Sequence, residues 1–414
     1  MTYDFVVIGA GIVGLSTAWQ LKNAAPDAKI LVVEKEAQPA MHQTGHNSGV
    51  VHAGVYYAAG SAKARMCKDG ARATKWFCNT YDIRLRECGK LLVATNQLEN
   101  DRIEGLHERC NANGIAHEII GPEELKALEL EITGLRAIRV PSTAITDYPG
   151  ICRKLLELFS QAGGEARFGI AIEKITENAG SVELRHAEGA IDARCVVACA
   201  GVQADRIVRS SGRKPSFAMV PFRGEYFRLP SEKNDIVKHL IYPIPDPALP
   251  FLGVHLTPMI DGSITVGPNA VLGFAREGYP KGSVNLRDVG DMLGNAGFWR
   301  LIGANVSSGL SEMGNSLFRR RYLALCQKYC PQLTLADLEP YPAGIRAQAI
   351  TPRGELIHDF VIEQTDRVLH VCNAPSPAAT SALPIGRHIV DLVRAKAEET
   401  GLKIFDEKQA APWA

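Results

Sequence analysis

The sequence predicts an α/β fold, with a discontinuous domain built around a doubly wound parallel sheet and an α+β domain built on an antiparallel sheet. First, an apolar strand at residues 4–8 runs directly into the glycine-rich segment 9–14. Second, strands that end in small or turn-forming residues recur much later, at 195–201 and 367–372. Third, the stretch 215–350 is rich in short extended segments. We therefore expect a ligand-binding domain formed by 1–90, 145–215 and 345–414, and a substrate domain formed by 91–144 and 216–344.

The glycine-rich segment has the spacing of a Rossmann-like dinucleotide-binding turn. Gly9 permits a tight turn after the strand, Gly11 lets the backbone approach a pyrophosphate, and Gly14 lets the following helix pack closely. Ile12 and Val13 begin that helix, where unpaired N–H groups and the helix dipole favour an anion. The segment therefore predicts a bound dinucleotide.

An acidic residue follows the second apolar strand. Residues 29–33 form that strand, and Glu34 ends it at a distance suited to accepting hydrogen bonds from a ribose. We include the adjacent Lys35 among the cofactor residues. Because the acid requires a free 2′-hydroxyl, FAD or NAD fits better than NADP.

Composition narrows the classes of protein to consider. With 46 basic and 45 acidic side chains in 414 residues, the net charge of +1 makes nucleic acid an unexpected partner. The ten cysteines form no metal-binding spacing, so we expect reduced thiols and no metal. The first strand begins almost at once and no apolar run reaches the roughly 20 residues of a membrane span. We expect a cytoplasmic protein that could still contact the inner face of the cell membrane peripherally.

Periodicity and turn residues predict the remaining elements. A polar, glycine-punctuated stretch at 38–60 is interpreted as a functional loop. Helices are predicted at 63–81, 99–113, 149–162, within 286–325 and at 378–396. Strands are predicted at 89–94, 166–175, 180–185, 195–201, 222–229, 239–242, 251–257, 263–267 and 367–372.

Two later segments are predicted to reach the cofactor. Ala200 and Gly201 end a buried strand, and the carboxyl ends of such strands face the ligand crevice. Residues 371–380 form a turn whose N–H groups suit a flavin ring, although an ordinary strand-to-helix turn is the alternative. Since the chain returns to its first domain and ends there, a flavin is favoured over a nicotinamide. The predicted contacts in this turn are Pro375, Ser376, Ala378, Ala379 and Thr380.

Residues 43–57, taken with 9–14 and Glu34, resemble the FAD-dependent D-amino-acid-oxidase-like (DAO) superfamily, which has a glutathione-reductase-like fold. More narrowly, several segments resemble the family of bacterial L-2-hydroxyglutarate dehydrogenases, and the resemblance spans nearly the whole chain. These segments are 221–227, 241–250, 253–257, 266–270, 343–348 and 372–381. The resemblance implies a flavoprotein that oxidises L-2-hydroxyglutarate to 2-oxoglutarate by hydride transfer to flavin N5. It also implies that electrons pass to a quinone, the respiratory chain or oxygen, and that the protein is cytoplasmic or membrane-peripheral.

The resemblance places the flavin against the loop that follows Glu34. His42, Cys67 and Cys372 are candidate sites for a covalent link, as found in parts of the superfamily, but we expect FAD to be bound non-covalently. A polar loop bonded only to itself is the alternative to cofactor contact. The residues expected to touch FAD here are Thr44, Gly45, His46, Asn47, Ser48, Gly49 and Val50.

Oxidation of a 2-hydroxy acid needs a base with a pKa near neutrality, which favours histidine. His46, His52 and His255 are available. We predict His52 as the base because it lies in the glycine-relieved loop, with His255 as the second choice. A structural histidine is the alternative at each position.

A five-carbon dicarboxylate needs positive charge at both ends, and arginine binds carboxylates bidentately. By analogy with the fold, Arg223 and Arg346 are predicted to bind substrate, with Tyr57 and Tyr242 donating further hydrogen bonds. Surface or packing roles are the alternatives. The pair Lys63 and Arg65 begins the next helix and could serve either the distal carboxylate or the helix cap.

Two other functions fit the same flavin fold. One is oxidation of an amine such as glycine, sarcosine or another amino acid, and the other is a flavin-binding protein without catalysis. The segments 298–302 and 318–323 mix aromatic and basic residues, as an interfacial helix does. Instead of an interfacial helix, we favour a solvated basic face that lies on an ordinary core.

Overall fold

The computed structural model describes residues 2–246, 253–304, 316, 318–399, 401, 404–407 and 410–413. In these ranges the strands form an eight-stranded, a nine-stranded and a three-stranded sheet. The predicted α/β class, with a Rossmann-like sheet and a second sheet, is confirmed.

The eight-stranded sheet contains a five-stranded parallel core. In spatial order, the core strands are Glu165–Phe168, Ile30–Glu34, Thr2–Ile8, Gly189–Ala198 and Val368–Asn373. The antiparallel strands added to this core are Lys174–Glu177, Val182–His186 and Val361–Gln364. The central strands are apolar and buried because helices and loops cover both faces of a parallel sheet.

The strand Gly189–Ala198 pairs with two different partners along one edge. Its first half pairs antiparallel with Val182–His186, and its second half pairs parallel with Val368–Asn373. The predicted strand 166–175 is wrong as a single element. Its first part is the parallel neighbour of Ile30–Glu34, and its last part begins the hairpin at Lys174.

The helix Ile12–Ala24 packs against two other helices, Tyr148–Gln161 and Ala382–Glu399. The helices approach closely at Gly386, where an added Cβ would lie 2.5 Å from Ser16 Oγ. Gln20 donates a hydrogen bond to the Leu383 carbonyl at 2.9 Å. The last helix of the chain is thereby fixed beside the first.

The nine-stranded sheet is antiparallel except where Leu240–Pro243 pairs parallel with Lys90–Ala94. The predicted antiparallel sheet is therefore corrected to a mixed one. The strand Glu339–Ile350, which pairs with Ala218–Arg228, was not predicted. The other strands are Val271–Leu272, Ile264–Gly267, His255–Pro258, Arg136–Val140 and Glu118–Ile120.

The remaining elements are a small third sheet and further helices. The small sheet contains Val50–Val51, Ala144–Thr146 and Leu85–Arg86. In the ranges that the structure describes, the other α-helices include Ala62–Thr80, Gln97–Asp101, Ile103–Ala112, Pro122–Leu128, Ala204–Ser210, Leu286–Leu293, Ala296–Ala304 and Arg319–Gln327. Short 3₁₀ helices span Gly201–Gln203, Ser231–Lys233 and Leu335–Asp337.

Several predicted boundaries need correction. The predicted helix 99–113 is two helices, and the final helix begins at Ala382 rather than 378. The predicted strand 251–257 begins at His255, and residues 251 and 252 lie outside the described residues. Residues 247–250, which belong to the segment 241–250 that carries part of the family resemblance, also lie outside them. Residues 305–315 and 317 of the predicted helical region also lie outside them. The predicted domain boundaries remain a prediction.

In the described ranges, no helix combines the length and the apolar character that crossing a membrane requires.

Candidate active site

A cavity of about 1260 Å³ is lined by both large sheets. The first sheet contributes residues at the carboxyl ends of its parallel strands, where open α/β sheets bind ligands. The second sheet contributes side chains from its central strands. The predicted site residues that line the cavity are Gly9, Gly11, Ile12, Val13, Gly14, Glu34, Lys35, Thr44, His46, Asn47, Ser48, Val50, His52, Tyr57, Ala200, Gly201, Tyr242, His255, Arg346, Pro375, Ser376, Ala378, Ala379 and Thr380.

The glycine turn has the close backbone approaches that its spacing predicts. Gly9 has a φ of +103°, and an added Cβ there would lie 2.5 Å from the Cys199 carbonyl oxygen. An added Cβ at Gly14 would lie 1.9 Å from the carbonyl oxygen of Gly9. At Gly11 the nearest atom would be Thr44 Oγ1, at 3.6 Å. Gly9 and Gly14 thus shape the turn, whereas Gly11 leaves room beside the cavity.

The amino end of the first helix opens on the cavity. Thr44 Oγ1 accepts a hydrogen bond from the Ile12 N–H at 3.1 Å. The N–H groups of Val13 and Gly14 have no acceptor within the helix, as in any first turn, and both residues line the cavity. This end of the cavity therefore suits a phosphate group.

Glu34 lies at the edge of the cavity and is only 9% exposed. Its carboxylate accepts hydrogen bonds from the N–H groups of Ala10 at 2.7 Å and Glu36 at 3.0 Å. These bonds fix the carboxylate, and each oxygen retains a lone pair for a ribose hydroxyl.

Lys35 lies among three potential metal ligands. Its Nζ contacts Glu36 at 2.5 Å, Glu277 at 2.9 Å and His42 Nε2 at 2.8 Å. Burial opposes the charge of Lys35, but the two carboxylates outweigh it and raise the lysine pKa. Although the two glutamates and the histidine are close enough to hold a metal ion, the ammonium already occupies their centre.

The polar loop is partly bonded to itself. Asn47 donates to the carbonyls of Gln43 and Thr44 and accepts from the Gly49 N–H. Gly45 and Gly49 are absent from the cavity lining in the described chain, so we do not propose them as cofactor contacts. At Gly45 an added Cβ would lie 2.4 Å from the Ala40 carbonyl oxygen, which makes its role one of loop packing.

Thr380 connects the segment 371–380, which lines the cavity, to the polar loop. Its Oγ1 accepts a hydrogen bond from the His52 N–H at 3.2 Å and donates to the Val50 carbonyl at 3.3 Å. Tyr148 shares a hydrogen bond with the same oxygen at 3.1 Å. Thr380 thereby fixes the backbone at His52 in addition to lining the cavity.

The two candidate bases, His52 and His255, both line the cavity. Burial first, and then the positive charges of Lys90 and Arg346, lower the pKa of each imidazole well below its usual value. His255 also shares a 2.8 Å hydrogen bond with Thr257. Both side chains are therefore neutral near pH 7 and able to accept a proton, but their pKa values are lower than the near-neutral pKa expected from the sequence for the base.

The structure separates the two predicted substrate arginines. Arg346 lines the cavity. Arg223 does not line it and instead donates to the carbonyls of Gly278 at 2.7 Å and Pro280 at 3.0 Å. Its guanidinium is thus engaged in holding a loop, and we withdraw the prediction that it binds substrate.

Some cavity residues were missed or left undecided by sequence reasoning. Lys63 lines the cavity and lies 4.9 Å from the Tyr57 ring centre. Burial lowers its pKa, and no ion pair of Lys63 is found in the part of the chain that the structure describes.

Tyr56 also lines the cavity and was missed by sequence reasoning. Its buried hydroxyl has no hydrogen-bond partner among the described residues. Tyr56 could have been identified because it lies in the segment 43–57, which resembles the DAO superfamily.

The sequence matches the model of a known family, described as FAD dependent oxidoreductase, over residues 4–392. The chain belongs to this family. The expected cofactor of this FAD dependent oxidoreductase is thereby confirmed as FAD. The glycine turn, the open helix end and Glu34 fit the pyrophosphate and ribose of that cofactor.

Curated relatives confirm the narrower resemblance of this FAD dependent oxidoreductase. The chain is 54% identical over 393 residues to L-2-hydroxyglutarate dehydrogenase of Escherichia coli strain K12, covering 95% of this chain and 93% of the relative. It is 41% identical over 416 residues to the mitochondrial L-2-hydroxyglutarate dehydrogenase of Homo sapiens, covering 96% and 90%.

A solved structure confirms the fold. The dithionite-reduced L-alpha-glycerophosphate oxidase of Mycoplasma pneumoniae with FAD bound superposes with a TM-score of 0.77. The match covers 95% of each chain at 19% sequence identity.

Proposed function

We propose that this FAD-dependent oxidoreductase oxidises L-2-hydroxyglutarate to 2-oxoglutarate. The observation that carries the proposal is that one cavity holds two neutral histidines and two cationic side chains, Arg346 and Lys63. The names of the curated relatives support this choice of substrate. A 2-hydroxy dicarboxylate needs one base and two positive groups, and the cavity supplies both.

Removal of the hydroxyl proton is assigned to His52, with His255 as the second candidate. When bound, FAD supplies a hydride acceptor at flavin N5 for the hydrogen on C2 of the substrate. The His52 imidazole takes the proton of the C2 hydroxyl at a ring nitrogen, which its lowered pKa leaves unprotonated near pH 7. The hydrogen bond from its backbone N–H to Thr380 holds this residue at the cavity wall.

Binding of the two carboxylates is assigned to the two cations. The Arg346 guanidinium is suited to bidentate binding of the carboxylate next to the reacting carbon. Lys63 is proposed for the distal carboxylate because its partly buried ammonium faces the same cavity. Tyr57 and Tyr242 are proposed to donate hydrogen bonds to the bound acid.

The remaining parts of the proposal concern the cofactor and the acceptor. We propose that FAD is held non-covalently and that a quinone receives the electrons. Two exposed aromatic side chains support peripheral contact with a membrane that carries the quinone: Trp299, which is adjacent to Arg300, and Phe318, which is adjacent to Arg319.

Anaerobic mixing of the FAD-bound protein with candidate substrates tests the function. We expect L-2-hydroxyglutarate to bleach the flavin absorbance, whereas D-2-hydroxyglutarate, glycine and sarcosine leave it unchanged. Reduction by the D form alone would refute the stereochemistry. Reduction by an amine but not by the hydroxy acid would replace the proposal with amine oxidation, and a flavin that none of these compounds reduces would favour a binding role without catalysis.

A further inference from the structure

Lys90 is a buried lysine to which the proposed chemistry assigns no role. It begins the strand Lys90–Ala94 in the second sheet and is 1% exposed. Burial lowers its pKa to about 8, and the ionisable groups that oppose this effect are the thiols of Cys67 and Cys88. Within the described ranges, no carboxylate is among the groups that shift the pKa of Lys90.

Aromatic rings take the place of a counter-ion. The Lys90 Nζ lies 4.0 Å from the Tyr242 ring centre and 5.3 Å from the ring centre of Tyr56. Leu240 lies opposite Lys90 in the parallel pair, so Tyr242, two positions later, presents its side chain on the same face. The contacts are therefore built into the register of the sheet.

The same tyrosine stacks on a candidate base. The Tyr242 and His255 ring centres are 3.9 Å apart, and the ring planes differ by 8°. Ammonium, phenol ring and imidazole thus form a connected group next to the cavity. His255 is tied to Thr257 through Nδ1, which further limits its motion.

The charge of Lys90 acts on both candidate bases. With Arg346, it lowers the pKa of His52 and of His255, because a nearby cation disfavours a protonated imidazole. Burial of an ammonium without a carboxylate partner costs free energy, and a methionine would fill the same space without that cost. The buried charge at this place in the sheet therefore points to a role in the neighbouring site.

We propose that Lys90 is a positioning residue whose ammonium, packed on Tyr242, holds the Tyr242–His255 stack and places a positive charge beside it. This inference rests on the proposed function, since it concerns the groups assigned to proton removal. Loss of the cation removes its repulsion of a protonated imidazole, so the histidine pKa rises. The acid limb of the rate profile then moves to higher pH.

The test compares Lys90→Met, Lys90→Arg and the control Lys174→Met, which alters an exposed strand lysine. Flavin reduction by L-2-hydroxyglutarate is followed by anaerobic stopped flow from about pH 3.5 to about pH 9, with pH jumps at the acid end, because the histidine pKa values lie well below their usual value. We expect the acid limb of Lys90→Met to move up by about one pH unit. The limbs of Lys90→Arg and Lys174→Met should match that of the unaltered enzyme.

A second measurement needs no substrate. Labelled histidine side chains in the FAD-bound protein are titrated by carbon NMR, with His52→Gln and His255→Gln variants assigning the signals. We expect higher pKa values for His52 and His255 in Lys90→Met. If L-2-hydroxyglutarate does not reduce the unaltered enzyme, the proposed function fails, and this titration still decides the role of Lys90.

An acid limb and histidine pKa values unchanged in folded, FAD-bound Lys90→Met would overturn the inference, whatever the rate. If neither Lys90→Met nor Lys90→Gln folds while Lys90→Arg does, the charge is a requirement for folding. That outcome also overturns the inference.

Discussion

The two ends of the cavity are built in different ways. At the cofactor end, backbone N–H groups and three glycines from one short segment meet a single carboxylate, Glu34. At the substrate end, side chains arrive from distant parts of the chain, namely His52, His255 and Arg346. A site made of backbone depends on local geometry, whereas a site made of side chains depends on how the two sheets are brought together.

The contrast extends to electrostatics. Phosphate binding at the cofactor end relies on dipoles and N–H groups that are present in any helix amino end. The substrate end relies on charged side chains, and the pKa values of its histidines are lowered first by burial and then by the positive charges of Lys90 and Arg346. We therefore expect substitutions at the first end to affect cofactor retention, and substitutions at the second end to affect catalysis or binding of the hydroxy acid.

The largest expected effect tests the cofactor end. In Gly14→Ala the new Cβ would lie 1.9 Å from the Gly9 carbonyl oxygen, so the turn must move. We expect purified protein to retain less than about one tenth of the FAD of the unaltered enzyme, measured by absorbance. Gly290→Ala is the matched control, since the added Cβ at that helical glycine would have no atom within 4 Å apart from its chain neighbours and the backbone of its own helix. Full FAD content in Gly14→Ala would mean that the close approach is not required.

The next effect separates the two histidines. His52→Ala should slow flavin reduction by about 100-fold to 10,000-fold, because the base is removed, while FAD and substrate binding are largely kept. Stopped-flow reduction at saturating L-2-hydroxyglutarate measures this rate. His255→Ala is measured in parallel. If His52→Ala reduces at the normal rate and His255→Ala does not, the base is His255.

Arg346→Ala should weaken substrate binding more than it slows the chemical step. Loss of a bidentate charged contact is expected to raise the apparent dissociation constant about 100-fold. The constant is taken from the substrate dependence of flavin reduction. Arg185→Ala removes an exposed arginine that pairs with Glu183 and serves as the control. Equal substrate affinity in Arg346→Ala would exclude this residue as the carboxylate ligand.

The smallest effect concerns selection of the distal carboxylate. Lys63→Met should lower kcat/KM for L-2-hydroxyglutarate about tenfold and leave that for L-2-hydroxybutyrate, which lacks the distal carboxylate, nearly unchanged. Lys68→Met, on the exposed side of the same helix, is the control. An equal loss with both acids would show that Lys63 supports the fold or the cofactor instead.

Sequence alone could predict most of the cofactor end. The order of strand, glycine turn, helix and acid is local, and the structure places Gly9, Gly14 and Glu34 as that order requires. The prediction failed where tertiary pairing decides the outcome. The segment 166–175 divides between two partners, and Arg223 is held by the carbonyls of Gly278 and Pro280, which no local pattern encodes.

The substrate end was only partly predictable. His52, Tyr242 and Arg346 were identified through a family resemblance, and the structure brings them to one cavity. Lys90 was missed, although a lysine within an otherwise apolar buried strand is itself a signal, because burial of an unpaired charge is costly. The stack of Tyr242 on His255 depends on the pairing of separated strands and could not be derived from spacing.

The divided pairing of Gly189–Ala198 has a consequence for biosynthesis. Its carboxyl half finds its outer neighbour only in Val368–Asn373, and Thr380 then anchors the wall at His52. A nascent chain still lacking these late segments has the glycine turn and Glu34 but an open groove. We therefore expect FAD to be captured after translation has passed the final strand, with ribosome-bound chains halted earlier remaining colourless.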